Sequence, residues 1–214
     1  TPNSLGPNPE LPFPIDIADD LVRWCEQETL GIHEIVRRNE QWWRPDEGEI
    51  DADLDRLWEV MEQSILDGCQ ESGILPGGLN VKRRAAELAV RLMPSGTIPH
   101  SVEDVVAAID GAGDTFEATL SWLTVFALAV NEMNAAYGRV VTAPTNGAAG
   151  VIPAVGMYLK AHCGADAATM RRYLLVAGEV GKCLHAQYMG VSDAGRNVQA
   201  LDSSVETLAE MARS

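Results

Sequence analysis

Basic residues are scarce in this chain: 16 Lys and Arg stand against 31 Asp and Glu, for a net charge of −15. A surface of that sign repels phosphate backbones and anionic headgroups, which argues against nucleic acid and membrane surfaces as partners. Long hydrophobic runs are missing too. The longest, Ala118 to Val130, is too short to cross a bilayer and lies between Glu117 and Glu132. Cysteine is sparse: Cys25, Cys69, Cys163 and Cys183 show no paired spacing, so neither a disulfide framework nor a local metal site can be read off. None of His33, His100, His162 and His185 has a His or Cys three or four residues away. No basic, apolar leader opens the sequence, and together with reduced thiols this gives a cytoplasmic reading. No segment alternates apolar and polar residues as a half-buried strand would.

What is present is an ordinary globular balance, 46% hydrophobic and 22% charged, in a length that suits one core. Residues 1–15 carry Pro2, Pro7, Pro9, Pro12 and Pro14 and read as an extended arm or linker. Residues 16–214 then read as one helical domain. A helix is expected from Ile17 to about Arg38, closed by Trp42-Trp43-Arg44-Pro45. The clearest periodicity is Leu54, Leu57, Trp58, Met61, Ile65 and Leu66, ending near Gly68. Val81 to Met93 predicts another helix, and Lys82, Arg83 and Arg84 read as its solvated face or, alternatively, as a group that holds an anion or a neighbouring subunit. Ser101 with Asp104 resembles a capping box for a short helix to Asp110. Thr115 to Tyr137 is apolar nearly all round, which in a globular protein means a central buried helix. Helices are also expected from Val151 to His162 with Pro153 in the first turn, from Ala167 to Gln187, and from Val198 to Arg213. The fold class is all-α, a compact bundle around the 115–137 helix.

Between two apolar segments lies Arg139-Val140-Val141-Thr142-Ala143-Pro144-Thr145-Asn146-Gly147-Ala148-Ala149-Gly150. Pro144 fixes one φ and Asn146-Gly147 favours a left-handed bend, so the stretch reads as a deep turn. It is either a tight connection or a cradle in which Thr142, Thr145 and Asn146 face a small polar ligand. Glu132, at the end of the apolar helix, is costly there unless paired. It reads as a structural group, with Arg139 as candidate partner, or as a ligand contact beside Asn131.

The run Phe126-Ala127-Leu128-Ala129-Val130-Asn131-Glu132-Met133-Asn134-Ala135-Ala136, followed by Gly138 to Ala154, resembles the catalytic α part of the iron–sulfur L-serine dehydratases. Weaker similarity covers Gly73 to Leu79, Lys82 to Ala85, and Asn39-Glu40, so that roughly residues 20–182 are involved. The resemblance implies a β-elimination that converts L-serine into pyruvate and ammonia during amino-acid breakdown, without pyridoxal. It implies a four-iron, four-sulfur (4Fe-4S) cluster whose open iron acts as a Lewis acid on the substrate hydroxyl. It implies that Thr142, Thr145, Asn146 and Gly147 bind the small amino-acid substrate, with Asn131, Glu132, Arg139, Asn39 and Glu40 around them. It also implies a homo-oligomer, or a β domain or β subunit on the N-terminal side.

After Lys182 the resemblance breaks. The family's Gly-Cys-Gln element and two further cysteines find no counterpart, and Cys163 and Cys183 do not fall at the ligand positions. Residues are therefore expected to be missing from this stretch near 182–200, and neither cluster ligands nor a catalytic base can be named. Two alternatives stay open. One is a related β-elimination such as cysteine desulfidation; the other is a cluster-free helical scaffold or regulatory module.

Overall fold

The computed structural model describes residues 11–113, 115–143 and 145–190, without the side chains of 146 and 185–190. The expected helix from Val198 to Arg213, the junction beyond residue 190 and the φ of Pro144 lie outside the described residues. Those residues form eight helices and no strand, an all-α fold. They divide into two compact units, where one helical domain is expected from the sequence. Among the described residues, 11–50 with 175–190 make the first and 51–174 make the second.

The first unit holds α1 (Ala18–Glu28) and α2 (Ile32–Trp43). One unbroken helix is expected here, but Thr29 takes a left-handed φ of 55° and closes α1. Gly31 then opens α2, with its N–H held by Glu34 Oε2 at 2.8 Å. Trp42 and Trp43 belong to the last turn of α2. The end of the presumed arm is anchored: Phe13 and Ile15 are buried with Leu21, Ile35 and Cys183. Trp24 meets Phe13 edge-on at 5.6 Å and donates its indole N–H to the Pro14 carbonyl at 2.8 Å.

The second unit is built on α6 (Phe116–Ala135). Its apolar run buries Trp122, Val125, Phe126, Ala129, Val130 and Met133, while Phe116 and Leu120, at its start, stay exposed. The helix is therefore central only from Trp122 onward. It packs against α4 (Ala85–Leu92), α5 (Val102–Ala112) and α7 (Asn146–Ala161). The capping box of α5 forms as expected: Asp104 N–H reaches Ser101 Oγ at 3.1 Å, and Asp104 Oδ2 accepts from Ser101 N–H at 3.1 Å.

α3 (Glu47–Gln70) buries Ile50, Leu54, Trp58, Met61, Ile65 and Cys69, a stripe that leaves Leu57 exposed. Gly68 does not end it. A Cβ there would lie 2.4 Å from the Ala129 carbonyl oxygen, so this glycine lets α3 and α6 touch backbone to backbone. α7 and α8 (Ala167–Gly190) meet α3 as well. Gly156 leaves room for the Trp58 ring, and Arg171 pairs with Asp51 and Asp55 at 2.8 and 2.6 Å.

Residues 81–84 are not helical. Val81 to Arg83 run antiparallel to Gly73–Leu75, with Leu75 N–H on Val81 O at 2.8 Å and Arg83 N–H on Gly73 O at 2.9 Å. The reason is long-range: Arg83, only 6% exposed in its side chain, pairs with Glu71 at 2.6 Å and rests on Met133 Sδ at 3.7 Å. The expected solvated helix face is thus broken by a buried cation.

Candidate functional site

The Thr-Asn-Gly stretch is a helix start, not a deep bend. Thr145 is the N-cap of α7, with its Oγ1 accepting from Ala148 N–H at 3.1 Å. Asn146 and Gly147 are already helical, so Pro153 sits inside the helix, past its first turn. The sequence expectation of a left-handed bend fails because a Thr N-cap and three following small residues satisfy the helix start better than a turn does. Thr142, Thr145 and Gly147 are exposed. The depth expected of them is not found.

A concave opening of about 260 Å³ is lined by Asn131, Asn134, Ala135 and, of these three, Gly147. Asn131 and Asn134 are three residues apart on the last turns of α6, which puts both amides on one face. Gly147 contributes the first turn of α7. The C-terminal end of one helix, with its partial negative charge, thus faces the partially positive N-terminal end of another across a small opening. Asn134 and Ala135 are additions to the sequence-derived candidates. The i, i+3 spacing of the two asparagines just after the apolar run of residues 125–130 was the available signal.

Glu132 turns away from the opening. Only 5% exposed, it accepts from Arg84 N–H at 2.8 Å and Ala85 N–H at 3.3 Å, the start of α4. A buried carboxylate is tolerable there because two main-chain donors and a helix N-terminus share its charge. Its partner is therefore α4, and Arg139 is exposed instead. Asn39 and Glu40 belong to the first unit. Asn39 exchanges two hydrogen bonds with the Phe13 backbone, at 3.0 and 2.7 Å, and Glu40 pairs with Arg44 at 2.8 Å. Both spend their polar groups on structure.

The residues present do not suit an iron–sulfur cluster. Among the described residues no group of three or more His, Cys, Asp or Glu could hold a metal. Burial, reinforced by the Glu132 charge, pushes the Cys69 thiol up to about 12, and burial with Glu179 nearby pushes Cys183 up to about 11. Neither is a thiolate near neutrality. His162, in ring contact with Tyr158 at 5.1 Å, keeps a buried Nε2 without a hydrogen-bond partner.

Comparison with known proteins adds the decisive fact: residues 27–200 match the family described as serine dehydratase alpha chain. The chain belongs to that family. It is 42% identical over 172 residues to the L-serine dehydratase of Streptomyces coelicolor, covering 80% of this chain and 34% of that protein. With L-serine dehydratase 2 of Escherichia coli it shares 41% identity over 173 residues, covering 80% and 35%. With the L-serine dehydratase of Haemophilus influenzae it shares 39% identity over 173 residues, again 80% and 35%. The chain spans about a third of the length of these curated relatives. Among the described residues no helix is long and apolar enough to cross a membrane.

Proposed function

We propose that this chain supplies the amino-acid-gripping part of an L-serine ammonia-lyase, which eliminates water from L-serine to give, after hydrolysis of the imine, pyruvate and ammonia. The observation that carries the reading is the opening between the C-terminal end of α6 and the N-terminal end of α7. A zwitterion suits such a place. Its carboxylate meets the partially positive first turn of α7 around Gly147, and its ammonium lies toward the α6 end, where Asn131 and Asn134 line the opening. Thr145 holds the α7 start open by capping Ala148, so its role is to aim the N–H groups. Thr142, Asn146 and Arg139 enter the reading as residues near the same turn.

The chemistry needs a base for the Cα proton and a group that makes hydroxide leave. The base is not assigned to any residue; the second task would fall to a 4Fe-4S cluster held from outside the described residues, and no step is assigned to Cys25, Cys69, Cys163 or Cys183. The protein so read acts in the cytoplasm in amino-acid breakdown and works with a β domain or subunit.

The test is pyruvate formation by the complete protein, prepared anaerobically, with Asn134→Ala and Thr145→Val. Loss of a carboxylate or ammonium contact predicts kcat/KM for L-serine lower by about tenfold or more, from ~1.4 kcal/mol per lost contact. Unchanged kcat/KM in both variants removes the opening from the reaction.

A further inference from the structure

Residues 73–84 form a tongue that nothing in the rest of the described chain explains. Its two arms are closed by the Leu75–Val81 and Arg83–Gly73 hydrogen bonds. Its tip needs three left-handed residues, Gly77 at φ 112°, Gly78 at 78° and Asn80 at 53°, and Gly73 at the base is left-handed as well. Such a turn is specified, since a non-glycine residue in this region carries strain. Yet it stands clear: a Cβ added at Gly73, Gly77 or Gly78 would meet nothing within 4 Å. The side chains it presents are apolar, with Leu79 84% exposed, Ile74 59% and Val81 46%.

Among the described residues, the tongue also carries exposed positive charge. In the unit of residues 51–174, Arg56, Arg83, Arg91, Lys160 and Arg171 are tied to carboxylates, and Arg172 to Thr169. Lys82, Arg84 and Arg139 are exposed. Lys82 and Arg84 lie on the tongue's return arm, whose base is fixed on Glu132 and Met133 of α6. Arg139 follows the end of that same helix. In a chain of net charge −15, this end of α6 is apolar and cationic together.

We infer that the tongue is a docking surface for a polypeptide segment outside these 214 residues that has an apolar, carboxylate-bearing face and corresponds to part of the roughly two thirds of the relatives' length that this chain does not span. Leu79 and Ile74 bury apolar area against it, and Lys82, Arg84 and Arg139 pair with its acids. A second copy of this chain is disfavoured by symmetry. An isologous contact sets the same patch against itself, and residues 73–84 carry three cations and no acid. An anionic lipid surface is disfavoured by the net charge. The inference rests on the partner in the proposed function and names the surface that meets it, but it does not depend on the serine chemistry.

The test uses the complete protein, or complex, as its own cells make it, with the photoreactive residue benzoylphenylalanine at position 79. Irradiation and peptide mapping are expected to give a cross-link to a segment outside these 214 residues that carries Asp or Glu beside apolar side chains. Lys82→Glu with Arg84→Glu should cut its yield about tenfold. The same probe at the exposed Phe116, at the start of α6, should give none of that product. All four positions are exposed, and helical content by circular dichroism confirms folding. A product confined to this chain or a second copy, a product with lipid, no product, or a yield indifferent to the charge reversals overturns the inference.

Discussion

Asn131 rests against the bare Cα of Gly150: a Cβ there would lie 2.7 Å from the Asn131 Cγ, Nδ2 and Oδ1. That contact sets how close α6 and α7 come, and so how the Asn131 amide stands at the wall of the opening. Gly150→Ala forces Asn131 to move or the helices to part. The expected cost is about 1–3 kcal/mol by urea denaturation, the usual range for overpacking. Gly68→Ala should cost more, because its Cβ would meet the Ala129 backbone, which cannot rotate away as a side chain can. Equal midpoints for Gly150→Ala and the natural protein would show that the contact is slack.

Glu132 ties the start of α4 to α6 through two main-chain donors. Glu132→Ala strands two buried or half-buried N–H groups and leaves a hole, so about 2–4 kcal/mol of stability should go. Glu132→Gln keeps one acceptor and the volume, and should lose about half as much. If both variants lose the same amount, charge rather than acceptor geometry is what matters. The tongue hangs from this anchor, so hydrogen exchange at Leu75 and Arg83 should quicken in Glu132→Ala.

The buried thiols give a signed pH prediction. Cys69 titrates near 12 and Cys183 near 11 in the folded chain, against an ordinary value of 9.0. Between those limits the folded state holds more protons than the unfolded one, so stability is full below pH 9 and falls as pH rises toward 11 and 12. The slope is roughly 1.4 kcal/mol per pH unit for each thiol. Cys69→Ala should flatten that alkaline decline in denaturation curves. At pH 8 a thiol reagent should label exposed Cys163 first and leave Cys69 untouched.

Tyr137 closes α6 in a position that usually belongs to glycine. It has φ 61°, its ring is 91% exposed, and Tyr137 N–H to Asn134 O at 3.1 Å and Gly138 N–H to Met133 O at 2.8 Å complete the turn. Tyr137→Gly should raise stability by about 1 kcal/mol, visible as a higher melting temperature. A lower one would mean that the exposed ring contributes to the fold.

The parts of this protein that local chemistry decides were legible. Ser101 and Asp104 make the capping box their spacing announces, and α3 follows its apolar stripe save for Leu57. Thr115 caps α6, and the apolar run through Val130 made that helix plain. One misreading has a local cause and another a long-range one. Asn146-Gly147 carries the signature of a turn, but Thr145 as N-cap turned it into a helix start. Val81–Arg84 has a helical pattern, yet Arg83 is drawn to Glu71 and Met133, and the chain there runs extended.

The sequence by itself determined the helices, their family and the stretch at which a site was to be sought, because periodicity, caps and motifs act over a few residues. Only the tertiary structure decided that Glu132 serves α4, 48 positions away at Arg84, and that Asn131, Asn134 and Gly147 share one opening. Those choices depend on how closely backbones approach at Gly68 and Gly150, and close approach is a property of two helices together. A glycine in one helix does not announce which partner will fill the space it leaves.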